Sequence, residues 1–317
     1  MRKRWLAILA ACAPLAAGAQ AQPLRVTGFA GSSSWPMLVA EEQRFFEREN
    51  LAVELRPAIG SRSQLAELAD GRVDIALTAM DNVVARGGET FAFLGVNNGG
   101  RGSLIVVPAV RSYGDLKGRP LAVDAPDSGY ALVLMEMLAR GGLPPGSYSL
   151  LGVGGSRERL AALRDGRAAG ALLNAPADAA AEAAGLRRLG TSAEVLARYQ
   201  GSVGAARRSW AAANADRLVR FIRAYVASVD WLYEPSHREA ALELLARRLG
   251  ASRRSAQRSY AELLDPEHGS LARRGALDIE GVRAVLELRR RFSRGGEPLG
   301  PPERYYDLGY YTKALNP

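Results

Sequence analysis

GSRSQLAELADGR occupies residues 60–72, and GSRERLAALRDGR occupies residues 155–167. Gly60, Ser61, Arg62, Leu65, Ala66, Leu68, Asp70, Gly71 and Arg72 all recur in the second copy at one constant offset. Each copy reads as a helix between two strands. Residues 52–56 (AVELR) alternate like a strand, and Gly60 breaks it. Ser61 is placed to cap the helix, with Gln64 completing a capping box. Leu65 and Leu68 share one face. Asp70-Gly71 is a stop, since glycine takes the left-handed conformation that closes helices. Residues 73–79 (VDIALTA) form a short apolar run, as in a strand buried on both faces. The second copy repeats the plan. Residues 148–153 are the strand, Gly154-Gly155 the break, Ser156 the cap, Asp165-Gly166 the stop and residues 168–173 the next strand. An Ala- and Arg-rich chain can produce one such phrase by chance. Two in a single register, with matching stops and strands, indicate repeated structure.

The flanks agree. LRVTGFA (24–30) and RPLAVDAP (119–126) are strands that lead into WPMLVAEEQRFFERE (35–49) and ALVLMEMLAR (131–140), both helical. Pro36 suits a first helical position. The sequence therefore predicts two β-α-β-α-β units, each with a largely parallel sheet flanked by helices. The crossing into the second unit is expected near residues 104–107, and the return near 201–207. The rest is helical. The expected organisation is a two-lobed α/β clamshell: residues 22–106 and 204–317 in one lobe, 107–203 in the other. Parallel sheets take ligands beyond the carboxyl ends of their strands. Two such lobes offer both sets of strand-end loops to one crevice, and helix N-termini there favour anionic or strongly polar groups.

The first 21 residues read as a leader. Arg2-Lys3-Arg4 is basic, residues 5–17 are apolar but short for a bilayer span, and Ala19-Gln20-Ala21 is an A-x-A cleavage site. An exported chain in the periplasm follows. Residues 9–12 (LAAC) resemble a lipobox, but the apolar stretch before Cys12 is very short, so the cleavable leader is preferred. Cys12 is the only cysteine, so the mature chain has no disulfide. Of the formal charge of +9, three positive charges sit in the leader. The remaining excess is arginine scattered through helices, which reads as solvated faces, and no nucleic-acid motif accompanies it.

The run WPMLVAEEQRFFERENLAVELRPAIGSRSQLAELADGRVDIALTAMDN (35–82) resembles the first lobe of periplasmic solute-binding proteins of ABC importers. The matching group covers nitrate, sulfonate, taurine and thiamine-precursor binders. SYGDLKGRPLAV, RERLAALRDGRAAGALLNAPADAAAEAAGLRRLG and FIRAYVASVDWLY extend the resemblance over nearly the whole mature chain. It implies a type II periplasmic-binding fold, hinge closure on a small-molecule solute, a permease partner in the inner membrane, and a monomer. Fungal thiamine-pyrimidine synthases share the fold but need a cysteine-rich iron site. With no cysteine beyond Cys12, the chain reads as a binder and not an enzyme.

Candidate ligand contacts come from the strand-end loops. Ser33, Ser34 and Trp35 follow the first strand; hydroxyls there can bond a ligand and an indole can stack on it, or they cap and pack the helix. Ser61 and Ser156 are expected as caps whose neighbouring N–H groups reach the crevice. Met80, Asp81 and Asn82 follow the buried strand. Asp81 either caps a helix or takes a ligand amine or hydroxyl. Asn97 lies near the hinge beside Arg101. In the second lobe Asp127, Ser128 and Tyr130 open a helix, Asp127 as a cap, and Asn174 ends a strand. His237 and His268 are too far apart in the chain to suggest a metal site. GVGGSR lacks the third glycine of a dinucleotide fingerprint, and no motif calls for a cofactor. The expected ligand is a small organic anion, a sulfonate or an aliphatic or aromatic carboxylate. The alternative is a neutral heteroaromatic of the thiamine-precursor or riboflavin kind, or an enzyme acting on such a compound.

Overall fold

The computed structural model describes residues 22–31, 34–98, 102–174, 176–265, 269–293 and 298–316. The expected leader, Cys12, Ser33, Arg101 and His268 lie outside the described residues.

Among the described residues, ten strands form two five-stranded sheets. The first contains β1 (Leu24–Gly28), β2 (Val53–Pro57), β3 (Ile75–Ala79), β4 (Thr90–Gly95) and β10 (Ser202–Arg207), in the order β2-β1-β3-β10-β4. The second contains β5 (Ser103–Val106), β6 (Pro120–Val123), β7 (Ser149–Gly152), β8 (Gly170–Leu173) and β9 (Arg187–Thr191), in the order β7-β6-β8-β5-β9. The orders correspond strand for strand. In each sheet one strand runs antiparallel to both of its neighbours: β10 between β3 and β4, and β5 between β8 and β9. The crossings are thus placed slightly differently from expectation. Residues 103–106, assigned above to the end of the first lobe, pair inside the second sheet. An all-apolar strand is compatible with the interior of either sheet, so its text does not say which one it joins.

The repeated helices are Ser61–Ala69 and Ser156–Arg164. Gly71 and Gly166 follow them at φ +75° and +68°, the left-handed positions their sequence implied. The caps differ from expectation. Extended Gly60 and Gly155 take the cap positions, so Ser61 and Ser156 become first helical residues with side chains free for other partners. The helix expected over residues 35–49 is also broken. It runs Trp35–Glu42 and resumes at Phe45–Arg48, because Arg44 adopts φ +57° between them.

One core packs the 19-residue helix Ala215–Tyr233 against the first sheet through Phe93, Phe221, Tyr225 and Phe46. Full burial of each such side chain contributes about 1.5–3 kcal/mol. A second core crosses between the units. Met80 and Val83 of the first meet Val133 and Met137 of the second, with Val282 and Leu286 of the helix Ile279–Phe292. That helix is pinned to both sides: Arg289 pairs with Asp81 at 2.6 Å and Arg291 with Glu136 at 2.7 Å.

Candidate functional site

The strand-end loops of the two sheets face each other across a cavity of about 30 Å³. That is room for one or two water molecules, so a larger ligand requires the units to part. The first unit contributes Phe29 directly after β1, Ser61, Thr78 and Asn82. The second contributes Asp124 directly after β6, together with Tyr130, Ser156, Arg159 and Asn174. Ser202 of β10 completes the lining on the first side.

Arg159 is 4% exposed. Its guanidinium donates to the Leu172 carbonyl and, at 3.1 Å, to Ser156 Oγ, while its buried Nε has no partner. Burial pulls its pKa down, opposed mainly by Asp124. A guanidinium taken out of water and left with a free donor is costly unless an acceptor arrives. Its carbon stands 5.7 Å from the Tyr130 ring centre. Asp124, 9% exposed, accepts hydrogen bonds from Ser61 Oγ of the opposite unit and from Ser128 Oγ of its own. The Ser61–Asp124 bond thus spans the cleft.

Neither Arg159 nor Asp124 figured among the sequence candidates. Arg159 stands in an Arg-rich helix, where a cation reads as solvent-facing, and Asp124 sits inside a stretch read as strand. The usable signals were an arginine in the repeat at the place of Gln64, and a carboxylate at a strand's carboxyl end.

Of the expected residues, Ser61, Asn82, Tyr130, Ser156 and Asn174 line the cavity. Asn174 donates to the Tyr130 hydroxyl at 3.1 Å, and Asn82 donates to Thr78 Oγ1 at 3.0 Å. Ser128 caps the helix Gly129–Arg140 by accepting from the Ala131 N–H, besides donating to Asp124. That displaces Asp127 from the expected cap; Asp127 is exposed at the mouth, 3.6 Å from Arg62 of the opposite unit. Asn97 clasps the crossings, accepting from the Ser202 N–H at 2.8 Å. Ser34 donates to the Gly31 carbonyl. Trp35 is only 2% exposed and lies apart from the cavity, its ring against Tyr260. Met80 belongs to the core between the units. Asp81 is fully buried; burial raises its carboxyl pKa to about 6, with the Arg289 guanidinium pulling the other way. A Cβ at Gly129 would fall 2.6 Å from the Asp81 Cβ, so glycine lets the units meet here. His237 stacks on Trp231, with ring centres 4.5 Å apart. Among the described residues no group of three or more His, Asp or Glu side chains is gathered as a metal ion requires, and no helix is long and apolar enough to cross a membrane.

Solved structures share this architecture at identities that show the fold. A protein from Bordetella bronchiseptica is 20% identical over 93% of this chain and 97% of its own, with a TM-score of 0.81. The periplasmic nitrate-binding protein of Synechocystis is 13% identical over 93% and 88%, with a TM-score of 0.78. The alkanesulfonate-binding protein of Xanthomonas axonopodis, bound to MOPS, is 19% identical over 85% and 92%, with a TM-score of 0.72. No curated protein matches the sequence. Residues 32–238 match the family model described as NMT1/THI5 like, and with well over half of its length so matched the chain belongs to that family.

Proposed function

We propose that this chain is the solute-binding component of an ABC importer. It is exported to the periplasm and takes a small organic anion, a sulfonate or carboxylate, between its lobes, then delivers it to an inner-membrane permease. The observation that carries this reading is Arg159, a buried guanidinium with an unpartnered Nε at the cavity between the two sheets. A sulfonate or carboxylate group supplies the acceptors that this cation lacks. Membership of the NMT1/THI5-like family, and a fold shared with nitrate- and alkanesulfonate-binding proteins, support the transport role.

Closure is the mechanism. The lobes, one built on the β2-β1-β3-β10-β4 sheet and the other on the β7-β6-β8-β5-β9 sheet, turn about the crossings clasped by Asn97. Contacts from both sides stabilise the closed form, and a ligand shifts the equilibrium only by its preference for that form. Ser61, Asn82, Tyr130, Ser156 and Asn174 contact the solute, and the chain acts as a monomer. Phe29 and Tyr130 in the lining favour a neutral heteroaromatic as the second reading.

The test is a thermal-shift screen of the mature chain with sulfonates, carboxylates, nitrate, pyrimidines and flavins. A ligand that binds only the folded state raises Tm in proportion to RT ln(1 + [L]/Kd). We expect an anionic hit recovered chemically intact. Consumption of the hit would instead mark an enzyme, and a hit confined to neutral rings would favour the second reading.

A further inference from the structure

We propose that Asp124 sets the class of solute: the ligand carries a hydrogen-bond donor, in the simplest case an ammonium group, besides the anionic group that Arg159 takes. This rests on the reading of the cleft as a solute site. Arg159 and Asp124 line the same small cavity, both nine-tenths buried or more. They are coupled electrostatically, yet no ion pair joins them. Arg159 donates to Leu172 and Ser156, and Asp124 accepts from Ser61 and Ser128. Two opposite charges therefore stand apart across one space, and their formal sum is zero.

That arrangement works against a simple anion. Whatever such a ligand gains from Arg159 is opposed by Asp124 in the lining of the same cavity, in surroundings with little water to screen it. A ligand with both signs, or a neutral one with an acceptor at one end and a donor at the other, satisfies both walls. Asp124 has capacity for it: a carboxylate offers about four lone-pair sites, and the two serine hydroxyls occupy two. The other acids nearby do not change this balance. Glu158, which also acts on Arg159, is exposed and screened by solvent, and Asp127 pairs with Arg62 at the mouth.

The test compares compounds that differ only by an amine: taurine against ethanesulfonate, and β-alanine against propionate. Affinities are measured by titration calorimetry on the wild type and on Asp124→Asn. Asparagine can still accept from one serine, so the variant removes charge while leaving the local bonding nearly intact. Asp124→Ser is the second variant, and circular dichroism melting checks that both fold. We expect the wild type to prefer the amine-bearing member of a pair by at least about tenfold. We expect both variants to lose that preference, chiefly by gaining affinity for the plain anion. A wild type that takes ethanesulfonate as tightly as taurine, or variants that keep the wild-type ratio, would overturn the role of Asp124 while leaving the cleft a solute site. Absence of binding by every compound to every form counts against the solute reading itself, and this inference falls with it.

Discussion

The two copies of the repeat do the same structural task with different chemistry. In the first lobe Gln64 Nε2 donates to the Leu77 carbonyl at 3.0 Å. In the second, Arg159 occupies the matching position and donates to the Leu172 carbonyl, the same number of residues ahead. Each side chain ties its helix to the strand that follows. Each also leaves one buried atom without a partner, an acceptor in the amide (Gln64 Oε1) and a donor in the guanidinium (Arg159 Nε), and only the guanidinium brings a charge to the cavity wall. The residues directly after β1 and after its counterpart β6 differ in the same sense, Phe29 in one lobe and Asp124 in the other. Both cavity charges therefore belong to the second lobe, and the first supplies hydroxyls, an amide and an aromatic face. A repeated scaffold keeps its tethers and differs in what they leave exposed to a ligand.

The most severe way to break this comparison is Arg159→Gln, which gives the second lobe the residue of the first. The tether to Leu172 can persist while the charge is lost. Affinity for the solute that stabilises the wild type should fall by about 2–5 kcal/mol, roughly 30-fold or more, with Tm nearly unchanged. Retained affinity in calorimetry would make the lobes equivalent receptors.

Next in size is the pH response of Asp81, which is buried at the seam and not in the cavity. Its native pKa of about 6 lies above the ordinary aspartate value of 3.8. The native state therefore binds this proton more readily than the unfolded state. The associated stability is fully present below about pH 4 and is lost as pH rises through about 6. The swing is at most about 3 kcal/mol. Urea unfolding from pH 4 to 7.5 should show that fall in the wild type and a flatter profile in Asp81→Asn; parallel profiles would assign the titration elsewhere.

Gln64→Ala tests the first-lobe tether alone. It leaves the Leu77 carbonyl buried without its side-chain donor and should cost about 1–3 kcal/mol of folding stability, with ligand affinity unchanged. A drop in affinity to match would mean that the first lobe also recognises the solute through this position. Smallest is Arg62→Ala. The Arg62–Asp127 pair bridges the mouth, but its side chains are 79% and 73% exposed. Solvent screening limits the effect on closure to less than about 1 kcal/mol, fading with added salt. A salt-independent loss would show that the mouth pair governs closure.

Much of the architecture was legible because it follows from periodicity and turn chemistry. The repeated helix, its flanking strands and the left-handed glycines at 71 and 166 are all local features. What was not legible depended on neighbours distant in sequence. Ser61 and Ser156 have good capping chemistry, but adjacent glycines take the caps, which sends Ser61 across the cleft to Asp124 and leaves Ser156 beside Arg159. Trp35 has the character of a stacking residue and also of a core residue, and packing against the helices decided for the core. Asp81 has the chemistry of a cap or of a ligand contact, and its partner is Arg289, far along the chain. Arg159 was hidden by the abundance of arginine, since composition does not single out a buried one among many that are solvated.

The exchanged strands also set an order of assembly. The second sheet is built from residues 103–191 without interruption, whereas the first needs β10, at residues 202–207, to fill the place between β3 and β4. A chain that emerges N-terminus first has β1 to β4 available early but cannot join β3 to β4 until the whole second lobe has passed. The later-made lobe can therefore finish its sheet first, leaving the open edges of β3 and β4 in need of protection until the returning strand arrives.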